Sequence, residues 1–215
     1  MMKKNKKRKK GRFLIFIGLI MIALSVLLTV NNFYDDLRAG ESAKKIIAGL
    51  NITRKTVNIA SDDTSAIYNN RTDIPDYKLA SDMQMPAITV NDSRYVGILT
   101  IPSLGLELPV LEEYNYDDLV YSPCRYSGSI YKDNMVIAAH NYQAHFGTLQ
   151  KLTNGDKVTF TDADGNVFPF KVAYVGKLKA EDVDKMIESE YPLTLFTCNY
   201  SGSERVTVRC EKPGK

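Results

Sequence analysis

The sequence predicts an all-β domain, a barrel or a sandwich, preceded by a transmembrane helix. Three observations support this fold class. Short segments rich in β-branched and aromatic residues recur between turns after residue 93. Long helical patterns are scarce in the same region, which is typical of β-barrels and β-sandwiches. Residues 13–30, close to the N-terminus, contain no charged side chain.

Residues 1–12 carry the chain's excess of positive charge. They hold eight of the 28 lysines and arginines and none of the 25 acidic residues. The rest of the chain has 20 basic and 25 acidic residues, so the net charge of +3 conceals a mildly acidic remainder. A nucleic-acid-binding domain would carry its basic residues on the folded part. We therefore expect no nucleic-acid partner and interpret residues 1–12 as a cytoplasmic segment.

Residues 13–30 have the length of a membrane span. These eighteen residues, at the helical rise of about 1.5 Å each, cover about 27 Å, close to the thickness of a bilayer's hydrocarbon core. A cleavable signal peptide has a shorter apolar region that ends in small residues, so an uncleaved signal anchor is the better interpretation. Cations before the span should remain in the cytoplasm, which predicts that everything after it is extracellular. A buried core helix is the alternative, but it would not adjoin a run of cations.

Residues 31–93 are predicted to form an extracellular stalk and linker. Residues 33–50 contain helix-forming residues at i, i+4 spacings. Residues 51–92 are rich in Asn, Asp, Ser and Thr and include two prolines, a composition typical of a linker. We expect the folded domain to comprise residues 94–215.

Seven segments of this domain have the composition of strands. They are residues 95–101, 106–111, 135–140, 157–162, 167–176, 193–198 and 205–210. Residues 102–105 indicate a turn between the first two. The sequence from Asp162 to Asn166 resembles the start of a calcium-binding loop, but the glutamate that completes such a loop is missing. A hairpin turn is therefore the better interpretation.

Three cysteines, Cys124, Cys198 and Cys210, cannot all form disulfides. In an exported domain this odd count indicates at least one free thiol, which invites a functional explanation. Cys210 alternates with Val206 and Val208 along a strand, so we expect it in the core. A Cys124–Cys210 disulfide is an open alternative.

Three predicted strands carry side chains suited to thiol chemistry at their ends. A nucleophilic cysteine needs a base or cation that favours its thiolate and a group that stabilises the oxyanion. His140 closes one strand, Cys198 closes another and Arg205 opens the last. These residues are the predicted catalytic site, on the rigid rim of a sheet. His145, the second histidine, lies in a polar loop, where we expect a solvent-exposed or supporting role; Arg209, on the same strand face as Arg205, is expected to be a surface cation.

At these residues the chain resembles the sortases, a family of membrane-anchored cysteine transpeptidases on the surface of Gram-positive bacteria. The family's TLxTC motif is matched from Thr194 to Cys198, at the end of a strand. His140 and Arg205 match the family's upstream histidine and downstream arginine. The segments 101–110 and 147–156 fit as well, and the likeness covers residues 94–212. It favours Arg205 over Arg209 as the functional arginine.

The resemblance implies an eight-stranded β-barrel with short helices and a reaction in two acyl-transfer steps. Cys198 would attack the Thr–Gly bond of an LPxTG-like sorting signal and form a thioacyl enzyme, which an amine would resolve. His140 would protonate the leaving amine and deprotonate the incoming one, while Arg205 would hold the substrate and steady the oxyanion.

Further substrate contacts are expected from Thr197, Leu195 and Asn141. For Thr197 the alternative is that it merely fills a strand position. No cofactor is expected. Oxygen ligands for calcium, which some members of the family bind, are offered by Glu112, Glu113, Asp117 and Asp118, although a solvated acidic loop is the preferred interpretation.

The implied partners are surface proteins with C-terminal sorting signals, the cell membrane, and an amine from a peptidoglycan precursor or a pilin. The subclass stays open, although residues 178–191 leave room for only one or two helical turns, unlike the long helix of the haem-anchoring branch. Two other functions also stay open: a membrane-tethered cysteine protease that hydrolyses its acyl-enzyme, and a non-catalytic surface-assembly module. Only a transpeptidase would incorporate an added amine into its product.

Overall fold

The computed structural model describes residues 3–50, 76–79 and 82–214. Its helices are α1 (Lys3–Leu50), α2 (Asp76–Leu79) and α3 (Val183–Ile187). Its strands are β1 (Ile88–Val90), β2 (Ser93–Ile101), β3 (Leu106–Leu111), β4 (Cys124–Ser127), β5 (Met135–Ala138), β6 (Lys157–Asp162), β7 (Val167–Lys179), β8 (Leu193–Cys198) and β9 (Glu204–Glu211). Most of the predicted linker, residues 51–75, 80 and 81, lies outside the described residues.

Eight strands close into a barrel, which confirms the predicted fold class. The order around the barrel is β2-β3-β4-β5-β8-β9-β7-β6, and β6 pairs again with β2. The short β1 adds to β2 by antiparallel pairing, so the sheet begins before the predicted domain start at Arg94. Two pairs, β3 with β4 and β5 with β8, are parallel, and the others are antiparallel.

All seven predicted strands are present, and the predicted turn at Pro102–Leu104 is a single 3-10 turn. β1 and β4 had no clear signal in the sequence. The three residues of β1 are too few to show alternation, and β4 contains only one apolar side chain besides its tyrosine.

The sequence from Asp162 to Asn166 is a hairpin turn between β6 and β7, as predicted. The carboxylate of Asp162 accepts hydrogen bonds from the backbone and side-chain nitrogens of Asn166, both at 2.8 Å. Gly165 has a φ of 82°, a conformation that favours glycine. Tyr131 donates its hydroxyl to the same carboxylate at 2.7 Å, so the turn is also fixed to the barrel.

Side chains of the barrel strands alternate between two apolar clusters. Leu193 and Leu195 of β8 belong to the cluster inside the barrel, whereas Phe196 belongs to a second cluster on the outer face. On β5, Ile137 points inward and Ala138 outward in the same way. The outer face of β5 and β8 is therefore apolar close to the point where both strands end, at Ala138 and Phe196.

α1 has two parts with different surroundings. Residues 13–30 are almost wholly exposed, and the helix is long and apolar enough to span a membrane. Further along, Ala39, Ala43, Ile46 and Leu50 are buried at helical spacing where α1 packs against β1 and β3. The end of the helix that the sequence assigns to a stalk thus lies against the barrel.

All three cysteines are free. Cys210 is buried in the inner cluster, as predicted, and Cys124 is buried in the outer cluster. The two do not form the disulfide that the sequence left as an alternative.

Candidate active site

The register of β5, β8 and β9 brings the predicted catalytic residues to one edge of the barrel. In the parallel pair of β5 and β8, Ala138 lies opposite Phe196, so His140 and Cys198 follow at the same end. In the antiparallel pair of β8 and β9, Arg205 lies directly opposite Cys198. Because side chains two positions apart share a face of a strand, all three continue the outer face of the sheet.

A cavity of about 130 Å³ has Cys198, His140 and Arg205 in its wall. Its other lining residues include several aromatic side chains, so we call it the aromatic cavity: Tyr114, Tyr116, Tyr126 and Phe196. The rings of Tyr126 and Phe196 meet edge to face, with 5.1 Å between their centroids. The wall is completed by α3 and the chain before it, which contribute Lys179, Asp182, Val183 and Met186.

A second cavity, of about 360 Å³, lies on the other side of Cys198. We call it the polar cavity, because most of its lining residues are polar: Asn141, Gln150, Lys177, Thr197, Asn199 and Ser201. Cys198 lines both cavities. A molecule in either cavity can therefore approach the same sulfur.

Cys198 differs from the other two cysteines in exposure. Its side chain is half-buried, whereas Cys124 and Cys210 are fully buried. Burial raises the pKa of the Cys124 thiol to about 11 and that of the Cys210 thiol to about 12, which keeps both in the unreactive thiol form near neutral pH. Cys198 is therefore the cysteine available for nucleophilic chemistry.

The ring of His140 lies between two tyrosines. Tyr116 meets it edge to face at a centroid distance of 5.5 Å, and Tyr142 lies at 5.2 Å with the rings inclined by 47°. Burial lowers the pKa of His140, which favours the neutral imidazole near pH 7. A neutral imidazole can accept a proton and pass it on, as a general acid–base catalyst must.

Arg205 and Arg209 occupy the same face of β9 and have different surroundings. Arg205 is half-buried in the wall of the aromatic cavity, and its Nη1 donates to the backbone oxygens of Gly202 and Glu204 at 2.9 and 3.4 Å. Arg209 is only 7% exposed and donates to the backbone oxygens of Lys185 and Met186 and to Thr194 Oγ1. The prediction that Arg209 is a surface cation is wrong, because its guanidinium joins α3 to β8.

A family model of the sortase domain matches residues 99–213, more than half of the chain. The chain belongs to the sortase family. This membership supports a transpeptidase function, and the match includes the cysteine, the histidine and the arginine at the rim. The eight-stranded barrel agrees with it.

The chain is similar to sortases of more than one type. It is 24% identical over 197 residues to sortase A of Bacillus anthracis, and this alignment covers 88% of each protein. Among solved structures it is similar to sortase C1 of Streptococcus agalactiae, with a TM-score of 0.51, 20% identity and coverage of 59% of this chain and 72% of that one. It is also similar to sortase A of Corynebacterium diphtheriae, with a TM-score of 0.50, 19% identity and coverage of 57% and 64%. At these identities the structural likeness shows the fold.

The three residues expected to contact a sortase substrate have different positions. Asn141 and Thr197 line the polar cavity beside Cys198. The Oγ1 of Thr197 is buried and has no hydrogen-bond partner among the described residues, which favours the alternative that this residue fills a strand position. Leu195 is fully buried inside the barrel, so the expectation that it contacts substrate is wrong. It lies three residues before Cys198, its side chain belongs to the inner cluster, and it lines neither cavity.

His145 is fully buried, not exposed to solvent. Its ring lies 5.8 Å from that of Tyr142, and neither ring nitrogen has a hydrogen-bond partner among the described residues. Burial, with a smaller contribution from His140, lowers its pKa to about 4. The polar residues around it in the sequence gave no sign of this, because the loop folds back onto the barrel.

Two residues of the acidic segment that could offer calcium ligands, Glu112 and Asp117, form contacts within the protein. Glu112 forms an ion pair with Arg94, which lowers the pKa of the Glu112 carboxyl. The backbone nitrogen of Asp117 donates to Asn115 Oδ1 at 3.1 Å. In the part of the chain that the structure describes, no group of three or more His, Cys, Asp or Glu side chains could hold a metal ion.

The three tyrosines and one phenylalanine of the aromatic cavity, together with Tyr142, were not predicted as site residues. A signal existed for some of them. Tyr114 and Tyr116 lie in the acidic segment, and Tyr142 lies two residues after His140. Aromatic residues are common in loops, however, and only the folded chain brings these rings to the histidine.

Proposed function

We propose that this sortase cleaves an LPxTG-like sorting signal between Thr and Gly and joins the released surface protein to a cell-wall amine. The observation that carries the proposal is that one half-buried thiol, Cys198, lies between two cavities of different polarity. A transpeptidase needs this arrangement because an acyl donor and an amine must reach the same sulfur. A hydrolase needs only the first of the two sites and a water molecule.

In the first step, the Cys198 sulfur bonds to the threonine carbonyl carbon and the Thr–Gly carbon–nitrogen bond breaks. The neutral imidazole of His140 accepts the thiol proton and gives it to the leaving glycine nitrogen. The lowered pKa of His140 suits the second of these transfers, because a weakly basic imidazole releases the proton readily. The product is a thioacyl enzyme and a free amine.

In the second step, an incoming amine attacks the thioester carbonyl carbon, and the carbon–sulfur bond breaks. His140 accepts a proton from the amine nitrogen and returns it to the sulfur of Cys198. The acceptor would be an amine of a peptidoglycan precursor or of a pilin. Because the polar cavity carries side-chain amides and hydroxyls, it suits a hydrogen-bonding acceptor.

Arg205 is proposed to stabilise the oxyanion and to hold the substrate. Its guanidinium has five N–H donors, and among the described residues only Nη1 has partners. Within the part of the chain that the structure describes, the other donors are free for a substrate oxygen. Its position directly opposite Cys198 supports this role, since the oxyanion forms on the carbon that the sulfur attacks.

The aromatic cavity is proposed to hold the apolar part of the sorting signal. Its tyrosines, together with Phe196 and Met186, offer the apolar surface that leucine and proline side chains require. The membrane span at residues 13–30 and the basic residues before it support a single-pass protein with its catalytic domain outside the cell. The proposed segments are a cytoplasmic segment (1–12), a membrane span (13–30), a stalk and linker (31–93) and a catalytic domain (94–215), and β1 of the third segment adds to the sheet of the fourth.

The test uses the full chain in detergent micelles with a panel of quenched LPxTG-like and NPxTN-like peptides. Each peptide is supplied with and without a glycine-based or cross-bridge amine. Mass spectrometry follows the enzyme and the products, and Cys198→Ala and Cys210→Ala are the matched variants. We expect a thioacyl adduct on Cys198, an amine-ligated product, and loss of both in Cys198→Ala alone.

Two results would contradict the proposal. Hydrolysis without any ligated product, across all the amines, would make the protein a membrane-tethered protease. Turnover that survives in Cys198→Ala would exclude the thiol mechanism altogether.

A further inference from the structure

The two loops beside His140 are both attached to α1. One is the loop between β3 and β4, which carries Tyr116. The other follows β5 and carries Tyr142. Since the ring of His140 contacts Tyr116 at 5.5 Å and Tyr142 at 5.2 Å, its orientation depends on both loops.

Asp36 holds the loop that follows β5. Its Oδ1 accepts a hydrogen bond from the backbone nitrogen of Ala144 at 2.9 Å, between residues 108 positions apart in the sequence. Within that loop, the backbone nitrogens of His145 and Gly147 already donate to the backbone oxygen of Tyr142, at 3.0 and 2.8 Å. The carboxylate of Asp36 therefore satisfies a further backbone donor in the turn that carries Tyr142.

The close approach of α1 to this loop depends on Gly40. A Cβ atom at this position would lie 3.3 Å from the Cβ of Ala144, closer than most such contacts. Next to it, Ala39 is fully buried. The contact between helix and loop is thus tightly packed and does not consist of a single surface hydrogen bond.

Arg38 holds the other loop. Its guanidinium carbon lies 5.5 Å from the centroid of the Tyr121 ring, within the range of a cation–π contact. Tyr121 ends the 3-10 turn Asp117–Val120, whose Leu119 nitrogen donates to the backbone oxygen of Tyr116. Arg38 thus contacts the same short turn that begins beside Tyr116.

We infer that Asp36 and Arg38 are positioning residues for His140, so that the turn of α1 just outside the membrane span orients the catalytic histidine. Asp36 acts through Tyr142 and Arg38 acts through Tyr116. Because α1 is one continuous helix from Lys3 to Leu50, the membrane anchor and the active site share a rigid element. This inference deepens the proposed function and rests on it for the role of His140.

The experiment compares variants of the full chain in detergent micelles. Asp36→Ala removes the acceptor, whereas Asp36→Asn keeps a side-chain oxygen that can accept the same hydrogen bond. Glu41→Ala, an exposed acidic residue on the same helix, is the matched control. We expect Asp36→Ala to lower kcat of transpeptidation by about tenfold with little change in KM, and Asp36→Asn to restore most of it. Arg38→Ala should give a smaller loss, with exposed Lys44→Ala as its control.

A second measurement does not require turnover. The chain has only two histidines, so ring NMR signals from isotope-labelled histidine can be assigned with a His140→Asn variant. The nearby tyrosine rings shift the His140 signals, and release of the Tyr142 loop should change them. We expect the signals to move in Asp36→Ala and to stay near the wild-type positions in Asp36→Asn and Glu41→Ala.

The outcomes separate the inference from the proposed function. Unchanged His140 signals and unchanged kcat in Asp36→Ala would overturn the inference. An equal loss of kcat in Asp36→Ala and Asp36→Asn would show that the hydrogen bond from Ala144 does not position His140. If the wild-type chain ligated no amine, the proposed function would fail, and the His140 signals would still decide whether Asp36 positions the ring.

Discussion

The two ends of the β8–β9 pair carry the same chemistry in opposite environments. At one end Cys198 lies opposite Arg205, with the thiol half-buried between two cavities. At the other end Cys210 and Arg209 lie opposite Leu193 and Thr194, and both are buried. The cysteines and arginines are identical as residue types, so the type alone does not separate a pair at an open rim from a buried one.

The difference arises from what covers each end. Leu193 and Cys210 are enclosed in the barrel interior, and the guanidinium of Arg209 is occupied by α3 and Thr194. At the Cys198 end the strands stop, and loops leave room on both sides of the thiol. Two adjacent strands thus support stability at one end and a candidate active site at the other.

The largest expected effect separates the two cysteines. Cys198→Ala should reduce transpeptidation by at least about a thousandfold, because no other thiol reaches either cavity. Cys210→Ala should keep the activity within about twofold and lower the free energy of unfolding by about 1 kcal/mol through a small cavity. Steady-state kinetics and urea unfolding of both variants measure this contrast. Comparable losses of activity in the two variants would show that the two cysteines do not differ in function.

Replacement of the two arginines should likewise affect different properties, activity for Arg205 and stability for Arg209. Arg205→Ala is expected to lower kcat/KM about a hundredfold with little change in stability, since it removes oxyanion stabilisation at an open rim. Arg209→Ala should lower the free energy of unfolding by about 3 kcal/mol, because it leaves buried oxygens of α3 and β8 without their donor. Urea unfolding followed by circular dichroism, alongside kinetics, tests both. A stable Arg209→Ala protein would show that its buried hydrogen bonds contribute little.

The buried His145, in the loop that follows β5, should make the stability of the protein depend on pH. His145 has a pKa of about 4 in the folded chain, against about 6.5 when unfolded, so the unfolded state takes up its proton first as the pH falls. Stability should be complete above pH 6.5 and should decline by up to about 3 kcal/mol between pH 6.5 and 4. The free energy of unfolding measured across this range should lose most of that slope in His145→Gln. The same slope in both proteins would show that His145 is not buried as a neutral ring.

Thr197 should give the smallest effect. Thr197→Val replaces a buried hydroxyl, which has no partner among the described residues, by a methyl group, and this should raise the free energy of unfolding by about 1 kcal/mol. Kinetics should stay within about twofold if the residue only fills its strand position. A clear fall in kcat/KM would instead assign the hydroxyl to the substrate site, as the sequence first suggested.

Much of the fold followed from local patterns. The strands around Ile137, Leu195 and Val208 alternate or run apolar over enough residues to be recognised, and the apolar span near the N-terminus is plain from its length. β4 was missed because its burial comes from neighbouring strands rather than from its own composition. The contact of α1 with the barrel was missed because helical spacing shows an apolar stripe without showing what covers it.

The sequence by itself determined the chemistry of the candidate site: a thiol, an imidazole and a guanidinium at strand ends, in the order of a known motif. Only the tertiary structure decided the environment of each group. It enclosed Leu195, which the sequence had placed at the substrate, Arg209, which it had placed in solvent, and His145, for which it had left a solvent-exposed or a supporting role open. The reason is physical, since residue type and strand periodicity are local properties, whereas burial depends on chain segments distant in sequence. The contact of Asp36 with the loop that follows His140 likewise depends on chain segments distant in sequence.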